Sequence, residues 1–247
     1  MERIVEICCG SYEDGLNAKK GGAKRIELNS ALFLGGLTPS LATLTLIKKN
    51  TDLKVISMVR PRGAGFCYSD KEFEVMKEDA KLLLEHGSDG IAFGCLNKDG
   101  TINERQTRKM VSIIQSYHGE VVFHRAFDCV QDPYQAIELL IQLGVNRVLT
   151  SGLQAKAMDG IAVIKTLQER YGSQIEILAG SGINATNAKT MMEQTGISQV
   201  HSSCKDWCCD ETTSGKNVSY SYAPQPHEND YDMVSEVLVK KIIESVG

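Results

Sequence analysis

No apolar run in this 247-residue chain reaches the roughly 18 residues that a membrane-spanning helix needs, so no membrane partner is expected. A basic excess is missing too: 27 Lys and Arg against 31 Asp and Glu leave a net charge of −4, with the cations scattered, which argues against nucleic acid as a partner. Met1-Glu2-Arg3 leads straight into an apolar run, without the pattern of a secretory signal, and a cytoplasmic location is expected. The eight cysteines follow no standard zinc spacing and read as free thiols or soft-metal ligands rather than a disulfide framework. No Gly-x-Gly-x-x-Gly opens the first helix, and no low-complexity linker or repeat beyond a strand-helix period divides the chain.

What is present is one pattern used eight times. Short β-branched runs, apolar on both alternations, end in polar residues: Val5–Cys8, Arg25–Asn29, Val55–Arg60, Ile91–Cys95, Val121–Asp128, Arg147–Gly152, Ile175–Gly180 and Gln199–Ser202. Such runs suit strands buried on both faces of a parallel sheet. Helical periodicity fills the gaps. Glu13 to Gly21 is predicted helical with Leu16 and Ala18 inward, and Ser40 caps a helix to Lys49. Ser69 or Asp70 starts an amphipathic helix through Phe73, Met76, Ala80, Leu83 and Leu84, and another carries Met110, Ile113 and Ile114 inward. Asp132-Pro133 opens a helix that Gly144 closes, followed by helices near Met158–Tyr171 and Ala185–Gln194. Residues 204–230 are polar and predict an extended arm, and Tyr231 to Ser245 a final helix with Met233, Val237, Leu238 and Ile242 on one face.

Eight strands alternating with helices over about 250 residues predict an α/β fold, a parallel (β/α)8 TIM barrel in a single domain with its core over about residues 3–203. A doubly wound open sheet is the alternative. In a barrel the site lies at the C-terminal ends of the strands, and three constellations fall there. Gly180-Ser181-Gly182 with His201-Ser202, and Ser151 nearby, suit an anion held by glycine N–H groups and a helix N-terminus. Glu6, Glu27, His124 and Asp128, with Arg60, Arg62 and Arg125 as partners, could tune a proton donor against an acceptor, or merely satisfy charges at the mouth. Thiolates select Cu(I) or zinc, which makes Cys8, Cys9 and Cys95, with or without His201, and separately Cys204, Cys208 and Cys209, candidate soft-metal ligands.

At these residues the chain resembles the CutC family of copper homeostasis proteins. The resemblance rests on Glu6-Ile7-Cys8, Gly22–Leu28, Gly35–Ser40, Arg60-Pro61-Arg62-Gly63, Phe66–Asp70, Phe123–Asp128, Arg147–Gly152 and His201-Ser202-Ser203, and spans nearly the whole sequence. It implies a cytoplasmic (β/α)8 barrel, assembled as a homodimer or homotetramer, linked to copper tolerance and in some members to Cu(I) binding, with no established reaction. Of the family's suggested copper-binding cysteines the first corresponds to Cys8, while the second falls on Asn29; neighbouring Cys9 is the weaker substitute. Two functions follow as expectations. One is a copper-handling protein that binds Cu(I) as its cofactor through Cys8. The other is a barrel enzyme acting on a small anionic or phosphorylated metabolite.

Overall fold

In a computed structural model, describing residues 3–247, eight parallel strands close into a barrel in the order β1 to β8. The strands are β1 Ile4–Cys9, β2 Arg25–Leu28, β3 Lys54–Met58, β4 Gly90–Phe93, β5 Glu120–Phe123, β6 Arg147–Thr150, β7 Glu176–Ala179 and β8 Gln199–Ser202. Helices α1 Tyr12–Lys20, α2 Leu41–Asn50, α3 Asp70–Glu85, α4 Glu104–Ser116, α5 Pro133–Leu143, α6 Ile161–Tyr171 and α7 Ala188–Thr195 follow β1 to β7 in turn. The closed parallel barrel settles the choice against an open sheet.

Local chemistry sets the helix boundaries. Ser69 accepts from Glu72 N while the Glu72 side chain accepts from Ser69 N, a reciprocal cap that starts α3. Asp132 caps α5 with Pro133 in its first turn, and Gly144, at φ +84°, ends it. Outward strand residues such as Ile7, Cys9, Ile26, Leu28 and Val55 pack under the helices in one large core. Ile56, Met58, Ala92 and Val122 form a separate cluster, the apolar part of the barrel interior.

Two expected elements differ. Leu16 is only half-buried on α1, where Asp14, Gly15 and Ala18 take the inner face. The expected helix from Tyr231 begins late: β10 Asp230–Val234 pairs antiparallel with β9 Lys205–Cys209, and α8 runs over Glu236–Val246. Residues 204–230 are therefore partly built into a hairpin rather than wholly an extended arm. Its tether is buried Asp14, whose carboxylate accepts from Val234 N at 2.7 Å and Gly10 N at 2.8 Å. Once Met233 is spent on that hairpin, α8 buries Val239, Ile242 and Val246, leaving Val237 exposed.

Candidate functional site

Strand register builds the site. Glu6 lies opposite Arg25 on β2 and His201 on β8, and one layer higher Cys8 lies opposite Glu27. Successive residues of a strand alternate faces, so these inward side chains share one wall of the lumen. Glu6, 1% exposed, is the hub: its Oε2 pairs with Arg25 Nε at 2.6 Å and stands 3.5 Å from Arg147 Nη1, while its Oε1 meets His201 Nδ1 at 3.0 Å. Burial works to raise the Glu6 pKa, but Arg25, the His201 hydrogen bond and Arg147 hold it well below the usual carboxylate range. The other face of His201 turns to the mouth, with Nε2 3.8 Å from Glu27 Oε2. Burial opposes charge on His201, yet Cys8, Glu6 and Glu27 together push its pKa well up. Burial pushes the Cys8 thiol and the Glu27 carboxyl up as well.

One ligand atom from each of Cys8, Glu27 and His201 lies within 4.8 Å of the other two, the group of metal donors that the described residues bring together. Asn29 Nδ2 donates to Glu27 Oε2 at 3.0 Å and to Cys8 Sγ at 3.5 Å, steadying both. The loop after β2 can pass this close only because Gly36 has no side chain. At φ +85°, a Cβ there would lie 2.4 Å from Asn29 Oδ1.

The triad opens into a cavity of about 360 Å³ at the C-terminal ends of the strands, within the range of small-molecule sites. His124 forms part of the facing wall, 3% exposed, with its ring centroid 5.1 Å from that of Phe66. Gly94 makes room for it: a Cβ at that position would lie 2.6 Å from His124 Cε1. Burial first, then Arg60 and Arg125, lower the His124 pKa to about 3, so its imidazole is neutral at physiological pH.

The other sequence candidates are dispersed. Arg60 lines the cavity, but its Nη1 donates to Leu34 O and Gly36 O and its Nη2 to Ala64 O, which holds the two loops above β2 and β3 in place. Arg62 turns away to pair with Glu72 and donates to Cys67 O. Asp128 accepts from Thr150 Oγ1, from Ser151 N and Oγ, from Leu153 N and from Arg125, so it is consumed in fastening the loop after β6. Ser151 is spent in the same knot and, like Gly180, stands outside the cavity lining. Ser181, Gly182 and Ser202 do reach the cavity, but α7 starts only at Ala188, so the expected helix N-terminus is not at the glycines. An Asn184–Asn187 turn intervenes.

Cys9 faces outward, fully buried under the helices, and cannot replace the missing second thiolate; Cys95 is likewise in the outer core. Cys208 and Cys209 are neighbours on one strand and so point to opposite faces, while Cys204 is buried. The partners expected for the buried carboxylates were Arg60, Arg62 and Arg125. For Glu6 they prove to be Arg25 and Arg147, which sequence reasoning missed. Their positions at the first residues of β2 and β6 were the available signal: Arg25 lies opposite Glu6 in the ladder, while Arg147, opposite Glu176, reaches to within 3.5 Å of Glu6 Oε2. Lys205 and Asp232, brought to the rim by the hairpin, were also missed.

Fold and site together define a (β/α)8 barrel with a thiol, a carboxylate and an imidazole converging at its mouth. A profile of the CutC family matches residues 3–206. A protein from Treponema denticola named as a family protein CutC is 46% identical over 243 residues, 98% of both chains. A human protein named copper homeostasis protein cutC homolog is 42% identical over 202 residues, 82% of this chain and 73% of its own. The crystal structure of a CutC protein from Streptococcus agalactiae superposes with a TM-score of 0.77 at 30% identity, over 81% of this chain and 98% of that one. The chain belongs to the CutC family.

Proposed function

We propose that this chain is a cytosolic copper homeostasis protein that holds Cu(I) through the Cys8 thiolate and His201 at the base of the mouth cavity, working as a homodimer or homotetramer. The observation that carries this reading is the convergence of Cys8, Glu27 and His201 within 4.8 Å. Thiolate and imidazole are donors suited to copper, and the names of the human and mouse relatives point the same way. His201 is also held as metal-bound histidines usually are, with the ring nitrogen that would not face the metal tied to a carboxylate, here Glu6. Anaerobic titration of reduced, metal-free protein with Cu(I) against a competing chelator is the test. One tight equivalent is expected, lost in Cys8→Ser and kept in Cys9→Ser; equal binding by both variants would remove Cys8 from the site.

A second reading has its own observation. The cavity is far larger than an ion needs, and Arg125, Lys205 and the Ser181-Gly182 turn stand at its rim, an environment suited to a small anionic metabolite. Inorganic phosphate should then raise the melting temperature of the wild type and not that of Lys205→Ala; no shift in either would count against it.

A further inference from the structure

Of the three donors that converge at the mouth, Glu27 is the one that Cu(I) leaves idle, because Cu(I) selects soft thiolates and a carboxylate is a hard donor. Glu27 is nevertheless buried, at 3% exposure. Its ion pair among the described residues is with His201 Nε2 at 3.8 Å, too long for a hydrogen bond, and not with an arginine or lysine. Glu6, one layer below, is held instead between Arg25 and Arg147. Buried charges are paired or coordinate metals, and Glu27 is not paired as Glu6 is.

The spacing of the donor atoms suits a small tetrahedral cation. Glu27 Oε2 lies 3.9 Å from Cys8 Sγ and 3.8 Å from His201 Nε2. The zinc–ligand bond lengths put the edges of a tetrahedral site at about 3.3–3.7 Å, so an ion would draw these atoms in by only a few tenths of an ångström. Glu27 Oε2 is already oriented by Asn29 Nδ2, and a carboxylate oxygen can accept that hydrogen bond and bind a metal together. His201 Nδ1 is tied to Glu6 Oε1, which leaves Nε2 as the metal-facing nitrogen. All three residues line the mouth cavity, whose space of about 360 Å³ adjoins the group and supplies no fourth protein ligand among the described residues.

We propose that Cys8 Sγ, Glu27 Oε2 and His201 Nε2 hold Zn2+, in competition with Cu(I), as three ligands of a tetrahedral site whose fourth position opens into the cavity. Three protein ligands and one exchangeable position are the arrangement of catalytic rather than structural zinc. Binding releases the Cys8 thiol proton, so that thiolate and carboxylate together match the charge of the dication. Water holds the fourth position until an anionic oxygen replaces it, with Arg125 and Lys205 at the rim favouring the anion. The inference rests on the copper reading only in taking this group as a metal site; its own support is Glu27, which that reading does not use.

The test is competition titration of reduced, chelator-treated protein with Zn2+ against a chromophoric chelator, beside Glu27→Gln and Cys8→Ser. One equivalent is expected for the wild type. Glu27→Gln should weaken zinc by at least about tenfold, the effect already seen on losing an outer partner of a metal ligand, and leave Cu(I) binding unchanged. Cys8→Ser should weaken both metals. Glu27→Gln keeps the side chain's shape and removes a buried charge, and an unchanged melting temperature of its metal-free form checks that the wall is intact. Co2+ in place of zinc should give a thiolate-to-cobalt absorption band and four-coordinate d–d bands, and azide should shift the d–d bands without releasing the metal. Equal zinc affinity in wild type and Glu27→Gln would overturn the carboxylate ligand, and bands that azide does not move would overturn the open position. Zinc bound no more tightly by the wild type than by Cys8→Ser would remove the zinc site altogether, while the Cu(I) titration would still decide the copper reading separately.

Discussion

The two walls of the barrel interior solve the same problem in opposite ways. On the β8–β1–β2 side, inward positions carry Glu6, Cys8, Arg25, Glu27 and His201, a charged group in which each member needs its neighbours. On the β3–β4–β5 side the same positions carry Ile56, Met58, Ala92 and Val122, topped by His124. Both histidines are buried, and their environments drive them apart. His201, between two carboxylates, takes up a proton; His124, beside Phe66 and Arg60, gives one up. A buried side chain's charge is thus decided by its neighbours, and the cavity lies where the two regimes meet.

The contrast breaks most severely if the charged wall loses a cation. Arg147→Met would leave Glu6, Glu120 and Glu176 without their shared partner, and denaturant unfolding should show a loss of about 3–5 kcal/mol. A loss below 1 kcal/mol would mean that Arg25 alone neutralises the wall. On the opposite wall the test is pH. Because the folded-state pKa of His124 lies at about 3, below its ordinary 6.5, its contribution to stability is present above pH 6.5 and declines as pH falls toward 3. Comparing urea unfolding at pH 7 and pH 4.5, His124→Phe should lose less than the wild type, by a few kcal/mol at most. Equal losses would show that His124 is not buried as a neutral ring.

The smallest effect separates two adjacent thiols. Cys9→Ser puts a hydroxyl into the apolar layer under the helices and should cost about 1–3 kcal/mol, whereas Cys8→Ser, at the cavity, should cost less than about 1 kcal/mol. Reversal of that order would mean that the register of β1 is off by one residue, since a one-residue slip exchanges the two faces.

The strands and most helices were legible because their signals are local. Alternating apolar runs, the Ser69 capping box and Asp132-Pro133 act within a few residues, and the elements formed where expected. Tyr231–Val234 failed for the complementary reason: its strand exists only because Lys205–Cys209, over twenty residues earlier, pairs with it and Asp14 tethers it. Among the site residues, Cys8, Glu27, His124 and His201 could be named from their places at strand ends, and they do line the cavity. Arg62, Asp128 and Ser151 share that address and have the right chemistry, yet their groups are consumed by Glu72 and by the knot after β6.

By itself the sequence determined the kind of barrel this is, because strand and helix periodicity, caps and turns act over short range and eight repetitions in about 250 residues leave few other architectures. It also placed Cys8, Glu27, His124 and His201 at strand ends, from which they line the mouth cavity. Only the tertiary structure decided which of them face one another: that Glu6 draws on Arg25 and Arg147, that Cys8 meets Glu27 and His201 while Cys9 is turned out, and that His124 is left with a proton and no partner. Those outcomes depend on register and closure, where groups far apart in the chain are brought within hydrogen-bonding distance and removed from water together.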